Sequence, residues 1–515
     1  METIKSNKNK IQFVLIMAIV ISGLTNCTDR WEEMNTDPNA LTEIPDEYLF
    51  TNAVRGAFND NTSYFHSTFG GQYAHIFVAS NWVRDIDKYN GVGTKDYPGY
   101  IYEATYNSSI RNSVEVIGLT SAGEKYENKW RNAQAQIMAI VSFSKITDVF
   151  GDVPYSEAGM GKSSIYKPKY DRQEDIYSDM VDRLKNCITV LKEPEAEDHV
   201  YATGIDPIYD GNVDYWIRFA NSYRLHLAMR ARFADPGKYE PVIAECLSES
   251  LIESNDQNPT LLTSDAKSDL YNPWWSNWNA SQAGVYNQMW SEKFINTLKA
   301  TNDPRLFFYA TKNPEGEYVG FPNGLNDNEY SKWNRKDVSI PSGEFFAKDQ
   351  PIYLITAAQI GLLKAEIALF NIGGVGGDAN QMYQTAITIG MEQWNIDTDS
   401  INNYFANESE AELNGDQENM FRQISTQMWI TSVPNALESW CTIRRTGYPV
   451  IDQRTSPGLD QGITNGYMPS RVAYPTTKEF SINGSNMQEA IDRLPGGEDK
   501  IDVTVWWDVR DAPVK

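Results

Sequence analysis

Two short clusters combine flat aromatic rings with amide, carboxylate and guanidinium groups. In "ASNWVRDIDKYN" they are Asn81, Trp82, Arg84, Asp85 and Tyr89; in "YNPWWSNWNASQ" they are Trp274, Trp275, Asn277, Trp278 and Asn279. Trp333, followed by Asn334 in "SKWNRKD", offers a third wall. Aromatic faces suit the apolar C–H face of a sugar ring, and amides, carboxylates and Arg can bond to its hydroxyls. The tryptophans flank Pro and Asn and do not recur at the roughly 3.6-residue spacing of a helical core face. The competing reading is that irregular segments need small apolar cores of their own, which Trp fills because it is highly buried on average.

Bond-making chemistry finds less support. The histidines are His66, His75, His199 and His226, and none stands in HExxH or at a metal-ligand spacing. There is no GxSxG elbow and no P-loop. "GVGGDA" (374–379) matches a dinucleotide fingerprint in letters only, because it follows a helical run and not a strand. It reads as a turn between helices. A carboxylate pair for glycoside hydrolysis stays open, since 69 Asp and Glu residues always supply some pair. No D-x-D-x-D-G loop occurs, so a structural calcium has no motif behind it and no cofactor is expected. Cys27, Cys187, Cys246 and Cys441 show no CxxC spacing, and Cys187 lies on an apolar helical stripe that implies a buried thiol.

These clusters sit in a chain of 515 residues with 41% hydrophobic and 22% charged residues, a balance that implies packed globular structure. The net charge of −24 opposes binding to phosphate backbones and adsorption to anionic surfaces, so nucleic acid is excluded as a partner. The N-terminus carries a different signal. "KSNKNK" (5–10) is cationic, and "IQFVLIMAIVISGL" (11–24) is apolar but shorter than the roughly 20 residues a membrane span needs. This is the layout of a secretory signal. Leu24, Thr25, Asn26 and Cys27 resemble the lipobox of bacterial lipoproteins, with Asn26 a departure from the usual Gly, Ala or Ser. The expectation is a signal peptide over 1–26, lipidation at Cys27, a tether over 27–45 and a folded domain over 46–515. Several acyl chains, at about 0.8 kcal/mol per buried CH₂, hold a domain stably to a bilayer.

The elements that must position the clusters are mainly helical. In 171–193, Ile176, Met180, Leu184, Cys187 and Leu191 recur at spacings of four and three and share one face, with Asp171 and Glu174 read as a capping box. Trp216, Ala220, Tyr223 and Leu227 repeat the pattern, as do Ile355, Leu362 and Ile367; residues 128–150 form another helix ending at the "GDVPY" turn. Helix, short loop and antiparallel helix recur without a strict repeat length. Long stretches of weak periodicity, 60–125 and 255–350, read as insertions carrying function, and "VTVWWD" near the C-terminus reads as a short strand.

Six stretches, in order along the chain, resemble the SusD/RagB-like family of outer-membrane nutrient-binding lipoproteins, in particular its SusD-like branch. They are "MNTDPNALTEIP", "ITDVFGDVPYSEA", "WIRFANSYRLHLAMRAR", "AAQIGLLKAEIALF", "WCTIRRTGYPV", and "MPSRVAYPTTKEF" through "VWWD". The resemblance implies a mainly α fold: a TPR-like helical-hairpin scaffold with irregular loop-rich insertions and a few short strands. It further implies a lid on a SusC-like, TonB-dependent β-barrel transporter, facing the cell exterior. The ligand would be a glycan, with a peptide or a surface glycosidase activity as the alternatives. Arg444 and Arg445, inside one of these stretches, are expected to pair with carboxylates within the scaffold.

Overall fold

The computed structural model describes residues 44–59, 63–78, 83–91, 96–275, 279 and 288–510. Cys27 and the apolar N-terminal run lie outside them. The chain divides after Pro45, and the unit Asp46–Lys515 holds every element named below.

Helix α1 (Asp46–Asn59) is followed by α2 (Tyr97–Thr105), which a π-helical turn (Tyr106–Ile110) joins to α3 (Arg111–Thr120). The central rod is α4 (Lys129–Phe150). Asn128 caps it by accepting from the backbone N–H of Trp130 and Arg131, and Gly151 ends it at φ 90°, where a side chain is disfavoured. From Ala133 to Phe150 every residue but Gln136 is buried, so α4 is enclosed on all sides. Against it stack α5 (Gln173–Leu191), α6 (Val213–Ala231) and α7 (Pro236–Leu247), each packed on its predecessor. The predicted stripe of α5 is buried, at about 1.5–3 kcal/mol for each large apolar side chain.

After α8 (Glu292–Ala300) come the hairpin of α9 (Ala357–Phe370) and α10 (Ala379–Glu392), then α11 (Thr398–Asn407), α12 (Gln417–Thr431), α13 (Ala436–Thr446) and α14 (Lys478–Arg493). A capping box of Thr356 and Gln359 starts α9. The α9–α10 turn runs through Gly373 and Gly374 at positive φ, as the glycine-rich run predicts. The two helices approach so closely that a Cβ on Gly361 would lie 2.8 Å from the Ala386 methyl. Strands are two residues long and paired in antiparallel ribbons: β1 (Phe77–Val78) with β5 (Met289–Trp290), β2 (Val153–Pro154) with β3 (Tyr170–Asp171), and β4 (Thr260–Leu261) with β6 (Ile352–Tyr353).

Four local expectations give way. Much of 97–120 is helix and not irregular insertion. Asp171 does not cap α5; it lies in β3 and accepts from the N–H of Tyr155 and Ser156, while Arg172 holds the cap position without a side-chain bond. "VTVWWD" forms no strand: Trp507 is fully buried and its indole N–H donates to Asp148 at 2.9 Å. Arg444 pairs with no carboxylate among the described residues. It donates to the carbonyls of Asp148 and Ser470 and lies 3.7 Å from the Trp440 ring centroid and 4.6 Å from that of Trp507.

Arg445 behaves as expected. Its two terminal nitrogens donate to Glu366 at 2.7 and 2.6 Å, and Arg232 adds a third bond at 3.0 Å. Burial alone would raise the Glu366 pKa, but the two guanidinium groups outweigh it and hold the carboxyl below its ordinary range. Nearby, Arg230 bridges Asp148 and Glu438.

Candidate functional site

The pairing of β1 with β5 sets Val78 opposite Met289. The first aromatic cluster follows Val78 in sequence and the second precedes Met289, so two segments far apart in the chain are tethered to one end of one ribbon. A small separate core lies at that end: Val78, Met289, Phe321, Leu325 and Val338, with Tyr330, Trp333 and Leu459 packed against it.

On this core sits a surface of rings and charge. The Arg84 guanidinium lies 3.6 Å from the Tyr330 ring centroid, within cation–π range. It also donates to the Leu325 carbonyl at 3.3 Å and pairs with Asp327 at 3.2 Å. Lys88 reaches the same carboxylate at 2.8 Å. The hydrogen bond from Lys88, then the charges of Lys88 and Arg84, hold the Asp327 carboxyl below its ordinary pKa. Trp333 and Tyr330 each rest on Phe321, with centroids 5.2 and 5.3 Å away, and both are half-buried.

Beneath it, Asp87 staples three chain segments. Its carboxylate accepts from the Asn323 amide at 2.7 Å and the Gly324 N–H at 2.6 Å, and lies 3.6 Å from Arg454. The Arg454 guanidinium is 3.5 Å from the centroid of Tyr89, whose hydroxyl is 2.9 Å from His75 Nε2. Burial pushes the Tyr89 phenol up to about 12.

The predicted residues therefore separate. Arg84 and Trp333 share one surface through Tyr330, and Asp85 is half-exposed beside Arg84. Tyr89 is 0% exposed and Trp274 only 4%, the latter stacked on Phe346 at 5.0 Å; both are core side chains in this structure, where the filling of small cores by aromatics prevails. Trp275 is half-exposed against Tyr271 at 5.1 Å, with the Lys348 ammonium 4.7 Å from its ring. Asn81, Trp82, Asn277 and Trp278 lie outside the described residues. Tyr330, Asp327, Asp87 and Arg454 escaped sequence reasoning. Tyr330 precedes Trp333 by three positions and could have been found as its partner, whereas nothing local marks Arg454.

Among the described residues, no group of three or more His, Cys, Asp or Glu is placed to hold a metal ion, and no helix is long and apolar enough to cross a membrane.

A scaffold of helical hairpins bearing an aromatic surface on irregular segments defines a binding protein of the TPR-like class. A family model for SusD-like proteins, described as "Starch-binding associating with outer membrane", matches residues 38–475, and the chain belongs to this family. Among solved structures, a chitin-binding protein is similar at 26% identity and a TM-score of 0.76, over 90% of this chain and 99% of that one. A SusD homologue from Bacteroides uniformis matches with the same identity, coverage and TM-score. A chitin-binding SusD homologue from Flavobacterium johnsoniae shares the fold at 21% identity and a TM-score of 0.77, over 91% of this chain and 99% of that one. No curated protein matches the sequence.

Proposed function

We propose that the protein is a non-catalytic, lipid-tethered glycan-binding protein of the cell surface that delivers its ligand to a SusC-like, TonB-dependent β-barrel transporter. The observation that carries this reading is the half-exposed surface of Arg84, Tyr330 and Trp333. The Trp333 ring there can cover the C–H face of a sugar, while Arg84, Asp327 and Asp85 bond to its hydroxyls. The printed descriptions of the family and of the 26% identical relative name starch and chitin, both glycans. Trp275, with Asn81, Trp82, Asn277 and Trp278, completes the proposed ligand set. Tyr89 and Trp274 are buried and stand outside that set. Cys27 supplies the acylated tether after removal of 1–26, residues 27–45 span from it to the domain, and the domain faces outward as a lid on the barrel.

Calorimetry of residues 28–515 against chito- and malto-oligosaccharides tests the reading. It expects saturable binding to one series without release of shorter products. Absence of binding to any glycan contradicts it, and so does turnover abolished by changing one Asp or Glu.

A further inference from the structure

Beside the aromatic surface opens a pocket of about 530 Å³, of the size that holds small ligands, and among the described residues no Trp, Tyr or Phe lines it. One stretch of chain serves both places. Pro322 and Asn323 line the pocket, while Leu325 and Asp327 hold Arg84.

The inner wall is built around His75, whose backbone stands at φ 52°, in the left-handed region that few non-glycine residues occupy. Such a conformation persists only where its surroundings enforce it. Tyr89 Oη is 2.9 Å and Arg454 Nη2 3.5 Å from His75 Nε2. A guanidinium can only donate, so Nε2 keeps its lone pair and the ring proton resides on Nδ1. Burial, then the charges of Arg454 and Lys293, keep the imidazole neutral far below its ordinary pKa. His75 thus lines the pocket as an uncharged imidazole. Lys293 lines the same wall and forms no ion pair with any described residue. The lining also holds the exposed carboxylates of Glu292 and Asp452 and the amides of Asn296 and Gln453.

The charges decide what fits. Arg454 is already neutralised by Asp87, which leaves, among the described residues, one lining cation, Lys293, against two carboxylates. An anionic sugar would meet Glu292 and Asp452 and is disfavoured. A neutral sugar suits the mixture, because each hydroxyl can donate to a carboxylate while accepting from an N–H. With no aromatic platform among its described lining residues, the pocket engages hydroxyls and not ring faces.

We infer that this pocket is a second subsite that takes an uncharged, hydroxyl-rich sugar residue of the same glycan whose neighbouring residues lie on the Arg84–Tyr330–Trp333 surface. The inference rests on the proposed glycan-binding function and adds a length requirement: the ligand must be long enough to reach from the rings into the pocket.

The test is calorimetry of the detergent-solubilised full-length protein with neutral oligosaccharides, from disaccharide to hexasaccharide, alongside oligogalacturonates of matching length. Affinity should rise about tenfold from the neutral disaccharide to the hexasaccharide. Lys293→Ala and Glu292→Ala should each abolish most of that gain and leave disaccharide binding within about twofold. A hexasaccharide-to-disaccharide ratio unchanged in both variants overturns the inference, as does tighter binding of the galacturonates. Failure of every sugar to bind the unaltered protein instead contradicts the glycan-binding function, and the subsite falls with it.

Discussion

Two regions of this molecule use arginine and tryptophan in opposite ways. In the scaffold, Arg445 and Arg232 clasp Glu366, and Arg444 lies between Trp440 and Trp507, all of them buried. At the β1–β5 end, Arg84 covers Tyr330 and pairs with an exposed Asp327 beside a half-exposed Trp333. The residue types are the same and the depth differs. A buried pair that loses one partner leaves a stranded charge, whereas an exposed one is simply solvated. The scaffold therefore trades tolerance for rigidity, and the small core below Arg84 holds Trp333 half-buried at the surface.

Breaking that contrast should give graded effects. Glu366→Ala strands Arg445 and Arg232 and is expected to cost about 3–5 kcal/mol in chemical unfolding, with ligand affinity unchanged in the fraction that folds. Trp274→Ala removes a stacked core ring and is expected to cost about 3 kcal/mol of stability. If Trp274→Ala instead leaves stability intact and abolishes binding, the assignment of that ring to the core is wrong.

Acid provides a second route to the scaffold. His66 and His226 are lowered to about 3 and about 4, chiefly by burial; Lys145 contributes at His66, and Arg230 outweighed by Glu438 at His226. Because the folded pKa values lie below the unfolded one, the unfolded state binds protons first as pH falls. Stability is thus fully present above about pH 6.5 and declines toward pH 4, by about 1.4 kcal/mol per pH unit for each histidine. Unfolding titrations that are flat over this window would show that these rings are not held neutral. The smallest effect belongs to the exposed pair of Lys478 and Glu103, where Lys478→Ala should leave the unfolding midpoint unchanged.

The scaffold was legible in sequence because helical spacing is a local signal: the stripe of α5, the Gly151 stop and the glycine turn after α9 all appear where their spacing places them. Helix α2 and its continuation were not, since "YPGYIYEATYNSSI" is rich in residues of low helix propensity and is stabilised by burial against α1 and α4. "VTVWWD" read as a short strand, yet Trp507 is buried with its indole N–H bonded to Asp148. The site was half legible. Trp274 and Trp333 look alike in sequence, flanked by Pro or Asn, and only the meeting of β1 with β5 and the separate core at that end decide which ring is covered. Arg454 touches Tyr89 and Asp87 from a distant segment, which no spacing announces.

The most direct measurement is a paired one on Trp333→Ala: oligosaccharide affinity by calorimetry and melting temperature on the same preparation. The account predicts an affinity loss of about tenfold with melting close to that of the unaltered protein. Undiminished affinity, or a loss of binding matched by a loss of melting temperature as large as that of Trp274→Ala, would contradict it.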